Sequence, residues 1–185
     1  VCEEALEPSG AFEMPGFEGA AAVYMYGGPV ALAVRALKFD GRPELGPRLG
    51  ARMRPWAERF GPVEIVVPVP LGAERLARRG YNQARELARG LGLPVRPLAL
   101  ERVRATRPQV GLSRQERLRN PEGAFRAQTR AVSGRRVLLV DDVVTTGATL
   151  AAARSALAAA GAHAVSALTL ARADDSTCLG RRTDA

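Results

Sequence analysis

A chain of 185 residues, 46% hydrophobic and 25% charged, has the composition of one globular domain, and it is long enough to bury a core without disulfide staples. Twenty-seven basic residues against 19 acidic ones leave a formal charge of +8, which favours anionic partners such as phosphate esters and nucleic acid. No apolar run approaches the roughly 18 residues of a membrane span and no basic-then-apolar leader opens the sequence, so a cytoplasmic protein that does not enter a membrane is expected.

The charge is unevenly placed. Residues 1–18 carry five Glu and no basic residue, whereas residues 75–136 carry 16 Arg against four acids. A solvated basic face would account for that surplus as well as a binding surface would. Lys38 is the only lysine. Cys2 and Cys178 lie at opposite ends and His163 is the only histidine, too little for a disulfide framework, a complete metal site or a nucleophile–histidine pair.

In chain order, residues 1–19 are acidic, rich in Gly and Pro, and read as an arm or linker. Residues 20–26 form a candidate strand. Val30, Val34, Leu37 and Lys38 recur at helical spacing over residues 29–39, with Pro29 suited to a first turn. A second helix is expected over residues 44–60, interrupted at Gly46-Pro47, and a short apolar strand over residues 64–69. Asn82 can cap a helix that presents Ala84, Leu87, Ala88 and Leu91. Residues 95–103 are strand-like, residues 104–112 read as a mobile basic loop, and Ser113 to Glu116 match a capping box. A buried strand over residues 136–140, a loop over 141–147, an Ala-rich helix over 148–160 closed by Gly161, and a strand over 164–170 complete the pattern. Strand–loop–helix–strand order implies βαβ units and a parallel sheet flanked by helices.

The stretch Val137-Leu-Leu-Val-Asp141-Asp142-Val-Val-Thr145-Thr146-Gly147-Ala148-Thr149 carries the chemistry. An apolar strand delivers two carboxylates to the carboxyl edge of a parallel sheet, where open α/β sheets bind ligands. Hydroxyls and a glycine follow at a helix N-terminus, whose free N–H groups and dipole attract a phosphate. Carboxylates, acceptors only when ionised, suit neutral hydroxyls nearby. A ribose 5-phosphate meets both demands. A Walker A loop is excluded, since the only lysine is followed by Phe39, and Gly90-Leu-Gly92 does not continue as a dinucleotide fingerprint.

That stretch resembles the phosphoribosyl pyrophosphate (PRPP) motif of type I phosphoribosyltransferases. Val67-Pro68-Val69-Pro70-Leu71, Arg79-Gly80-Tyr81-Asn82-Gln83, Arg104-Ala-Thr-Arg107-Pro-Gln109-Val-Gly-Leu and Arg117-Leu-Arg-Asn120-Pro-Glu-Gly123-Ala-Phe125 resemble the ComF competence-protein family. The similarity spans roughly residues 20–172. It implies a type I phosphoribosyltransferase-like α/β fold with a small hood, built from residues 20–39 and those near 117–125. The implied activity is Mg²⁺-dependent transfer of ribose 5-phosphate from PRPP to a nucleobase or amine, linked to DNA uptake.

The resemblance assigns Asp141 and Asp142 to the ribose hydroxyls and Thr145, Thr146, Gly147, Ala148 and Thr149 to the 5′-phosphate. Leu71, Gly72, Arg75 and Arg79 become candidates for pyrophosphate, and Arg104, Arg107 and Gln109 for a loop closing over the leaving group. Mg²⁺ would bridge oxygens of the ligand, largely without protein side chains. Members of the family commonly begin with a Cys-rich zinc module; only Cys2 stands near the start here, so zinc is expected only with further upstream ligands. The implied organisation is a linker or module remnant over residues 1–19, the transferase domain over 20–173 and a polar flexible tail over 174–185, with a homo-oligomer and competence proteins as candidate partners. The alternative is a competence protein that binds PRPP or single-stranded DNA without turnover, for which the basic segment and Tyr81, a candidate stacking aromatic beside Arg78 and Arg79, speak.

Overall fold

The computed structural model describes residues 6–104 and 123–173. In chain order the elements are β1 (Pro8–Ala11), β2 (Gly19–Met25), α1 (Gly28–Phe39), α2 (Leu45–Ala57), a 3₁₀ turn (Glu58–Phe60), β3 (Ile65–Pro68), α3 (Ala73–Arg79), α4 (Gln83–Arg89), β4 (Leu100–Arg102), β5 (Phe125–Ala127), α5 (Thr129–Val132), β6 (Arg136–Val144), α6 (Ala148–Ala159) and β7 (Ala164–Arg172).

The two longest apolar strands pair at the centre. β6 and β7 run parallel over nearly their whole lengths, β2 adds to β7 and β3 to β6, and β1 joins β2 antiparallel at one edge, giving the order β1-β2-β7-β6-β3. Strands buried on both faces read as continuous apolar runs, as β6 does. Val137 and Leu139 enter one core with Leu150, Ala153 and Leu157 of α6. Leu138 and Val140 enter a second core with Val34 and Leu37 of α1, Met53 of α2 and Leu87 of α4. The result is three layers, with β4 and β5 forming a separate antiparallel ribbon on the α6 side. No helix among the described residues is long and apolar enough to cross a membrane.

Four local expectations change. Within residues 1–19, Pro8–Ala11 is a strand, and Phe12, Met14 and Phe17 pack against the α6-side core; Gly and Pro are tolerated on a short edge strand. α2 is not broken at Gly46-Pro47, because Pro47 falls in its first turn, where the missing N–H has no helical acceptor to lose. Of residues 95–103 only Leu100–Arg102 is a strand; Pro94 and Pro97 flank Val95, which makes a single parallel bridge to Val66. β6 continues past Val140 through both aspartates to Val144, held by pairing to Arg172 of β7. Residues 20–39 supply β2 and α1 of the main layers, not a hood. The capping box at Ser113 lies outside the described residues.

The Asn82 cap forms as read from the sequence: its side-chain oxygen accepts the Ala84 N–H at 3.0 Å. Its amide also donates to the Val69 carbonyl at 2.9 Å, tying α4 to the loop after β3. Asn82→Ala removes both bonds and is expected to cost about 1–2 kcal/mol, measured as a lower denaturant midpoint at unchanged slope.

Candidate functional site

Side chains alternate along a strand, so adjacent aspartates on β6 face opposite ways. Asp141 emerges on the α6 side, where it shares a small cavity of about 30 Å³ with residues 143–150. Thr145, Thr146, Gly147, Ala148 and Thr149 therefore surround the same space as one of the two carboxylates. Gly147 takes φ 76°, a conformation that L side chains resist, and starts α6. Thr146 Oγ1 lies 3.5 Å from the Ala148 N–H, leaving the N-terminal amides weakly capped and open to an anion.

Asp142 turns to the other face. It is 4% exposed, and its Oδ1 lies 2.9 Å from Lys38 Nζ. Its Oδ2 is buried with no hydrogen-bond partner among the described residues. Lys38 is fixed from behind, since the Tyr81 hydroxyl donates to the carbonyl of Leu37 at 2.6 Å. Tyr81 is thus committed to α1 and packs against the core there instead of standing open for base stacking. Burial alone would drive Lys38 toward its neutral form. The charge of Asp142 and the bond to it outweigh burial, with smaller pulls from Asp141 and Tyr26, and its pKa rises above the ordinary value.

Asp141 titrates far from the usual carboxylate range. Burial first, then the charge of Asp142, push it up to about 7, against the Asp142 backbone N–H, Lys38 and Arg102. That N–H donates to Asp141 Oδ1 at 2.8 Å. The register partner of Asp141 on β7 is Thr169, whose hydroxyl is buried without a partner among the described residues.

A cationic wall stands at the loop after β3. Gly72 is the N-cap of α3, and a Cβ placed on it would lie 3.8 Å from Cδ of Arg102. Arg102, with its guanidinium 5.1 Å from the Phe125 ring centre, has its pKa lowered by burial and by the charge of Arg75, with Asp141 opposing. Arg79 is lowered chiefly by burial, while Asp142 opposes. Arg79 also donates to Gln83 and stacks 5.5 Å over the Phe39 ring. Arg75, Arg79 and Arg102 therefore share one electrostatic neighbourhood with the two aspartates, and Leu71 and Gly72 border it in sequence. Arg104 is exposed just after β4, and Arg107 and Gln109 lie outside the described residues.

Lys38 and Arg102 were not singled out from the sequence. The signal available for Lys38 was its being the lone lysine on a helical face that is otherwise apolar; Arg102 offered none among so many arginines. Beyond the phosphate loop a cleft of about 570 Å³ opens between Thr145, Thr146, Met14, Phe12, Ser155 and Arg172. Arg172 lies 4.9 Å over the Phe12 ring. No group of three or more His, Cys, Asp or Glu gathers at metal-binding distance among the described residues.

Comparison with known proteins agrees with this arrangement. Residues 76–182, more than half of the chain, match the family described as Phosphoribosyl transferase domain. The DNA utilization protein YhgH of Salmonella typhimurium is 36% identical over 161 residues, which cover 82% of this chain and 70% of that protein. Competence protein F of Haemophilus influenzae is 42% identical over 119 residues, 60% of this chain and 51% of that protein. Among solved structures, the allosteric regulatory enzyme of purine biosynthesis aligns with 75% of this chain and 30% of its own, at 22% identity and a TM-score of 0.48. This chain belongs to the phosphoribosyl transferase domain family, in its ComF competence-protein group.

Proposed function

We propose that the chain is a Mg²⁺-dependent phosphoribosyltransferase that moves ribose 5-phosphate from PRPP to a nucleobase or amine, in a process serving DNA uptake or use. The observation that carries this reading is one cavity shared by Asp141 and residues 145–149, with the cationic wall of Arg75, Arg79 and Arg102 beside it. The phosphate loop would take the 5′-phosphate, Asp141 a ribose hydroxyl, and the arginines the diphosphate, whose oxygens match guanidinium forks. Arg104, Arg107 and Gln109 keep their expected role over the leaving group. Mg²⁺ takes oxygen ligands, and the site offers no carboxylate cluster, so the cation would enter on diphosphate and ribose oxygens with water. Breaking the C1′–pyrophosphate bond develops positive charge on the sugar, a step served by positioning, fixed charge and exclusion of water. The cleft walled by Phe12 and Arg172 is large enough for an acceptor heterocycle.

PRPP with Mg²⁺ is expected to raise the melting temperature of the wild type, since a ligand held only by the folded state adds RT ln(1 + [L]/Kd). Asp141→Asn is expected to lose that shift. Pyrophosphate release with a panel of nucleobases and amines then tests turnover; equal melting with and without PRPP overturns the reading.

The second reading, a binding protein without turnover, is favoured by relatives named for competence and DNA utilization. Single-stranded DNA bound by the arginines of residues 75–136 would dissociate steeply with added salt. Tight binding that ignores salt, with no pyrophosphate released, would favour a dedicated DNA site.

A further inference from the structure

We infer that Lys38 is a positioning residue for the carboxylate pair: its ammonium holds Asp142 in the interior and so leaves Asp141 as the acid that meets the ligand. For the ligand this rests on the proposed function; for the pair itself it does not. Three contacts carry it. Lys38 Nζ lies 2.9 Å from Asp142 Oδ1. Asp142 is buried and its other oxygen has no partner among the described residues, so this ion pair is its one recorded anchor. The Tyr81 hydroxyl grips the carbonyl of Leu37, directly before Lys38, and so fixes the helical turn from which the ammonium reaches the strand.

Two carboxylates on neighbouring residues cannot both ionise cheaply unless a cation neutralises one of them. The charged groups that bear on Asp141 are Asp142 on β6, Lys38 on α1 and Arg102 on β4; Arg79 of α3 bears on Asp142. Lys38 touches the acid on the far face and acts on Asp141 across the sheet, biasing the pair toward the doubly ionised state in which Asp141 can accept a ribose hydroxyl.

The test is carboxyl-carbon NMR titration of the apo protein, which needs no PRPP. The pair titrates in macroscopic steps that belong to both acids. In Lys38→Met the upper step should move to higher pH by about 1–3 units, the usual effect of losing an opposite charge at this range. In Asp142→Asn the remaining step, that of Asp141, should move down, and Lys38→Arg should stay near wild type. Opposite signs from two substitutions at one contact are a signature that loosened packing does not produce. An upper step unmoved in Lys38→Met overturns the inference, as does one moved alike in Lys38→Arg. If Lys38→Met does not fold, the Arg and Asn variants still decide: a step that moves up or stays put in Asp142→Asn overturns it. The pH dependence of PRPP·Mg²⁺ binding in the same variants should follow the NMR steps. Absent PRPP binding in the wild type defeats the proposed function while leaving the titration result standing.

Discussion

Gly50→Ala is expected to be the most damaging single methyl in the described structure, lowering stability by about 3 kcal/mol or more. Gly46 and Gly50 stand one turn apart on α2, facing α4. A Cβ on Gly50 would lie 2.0 Å from the carbonyl oxygen of Leu87 and 3.0 Å from Cα of Gly90. Those neighbours are backbone and cannot swing aside as a side-chain tip can. On the other helix, Gly90 leaves no more room, with Pro47 O only 2.2 Å from where its Cβ would be. Relief requires the two helices to part, and parting them unpacks Met53, Leu87 and Leu91, all fully buried. Gly41→Ala is the control: it carries φ +64° but meets nothing within 4 Å, so only backbone strain of about 1 kcal/mol is expected. Urea unfolding followed by circular dichroism separates the two, and similar midpoints for both variants would mean that the α2–α4 contact is looser than it stands here.

Asp141→Asn should make the apo protein more stable at neutral pH while abolishing PRPP binding. The pKa of this acid is raised on folding from 3.8 to about 7, so the folded state holds its proton more tightly than the unfolded chain. The stabilisation from that proton is complete below pH 3.8 and is lost as pH rises through 7. Asparagine has no proton to lose. The advantage of the variant should therefore be near zero at pH 4 and reach its full size by pH 8. Taken at face value the shift is worth about 4 kcal/mol; the side chain is only partly buried, so about 1–3 kcal/mol is expected after screening. Melting temperatures of both proteins across that range provide the measurement. Parallel curves would show that Asp141 ionises freely in the folded state.

How much of this was legible in the sequence follows from which forces are local. The Asn82 cap, the apolar spacing of α4 and the glycine opening α6 depend on residues within a turn of one another, and they stand where spacing put them. The aspartate–threonine run was visible for the same reason. The extent of β6 was not, because Asp141 to Val144 are held as strand by their partners on β7, far along the chain. Gly46-Pro47 looked like an interruption since proline and glycine both disfavour a helix interior. Its meaning lay in the approach of α4, which no local pattern records. Lys38 shared a helical stripe with Val30, Val34 and Leu37, and only the fold reveals that its end reaches a carboxylate about a hundred residues away. Conversely, the acidic and glycine-rich start promised an arm, yet pairing with β2 makes part of it an edge strand.

The alternation along β6 also gives the length of that strand a chemical meaning. From Val137 to Asp142, odd positions meet α6 and even positions meet α1 and α4. The ladders to β3 and β7 lock this phase from both sides. Inserting or deleting one residue between Arg136 and Asp141 would exchange the two faces. The acid beside the threonines would then point at the ammonium, the other would enter the phosphate cavity, and the apolar residues before them would trade cores. Valine for isoleucine along this stretch is a modest repacking. A change in the count of residues inverts the site.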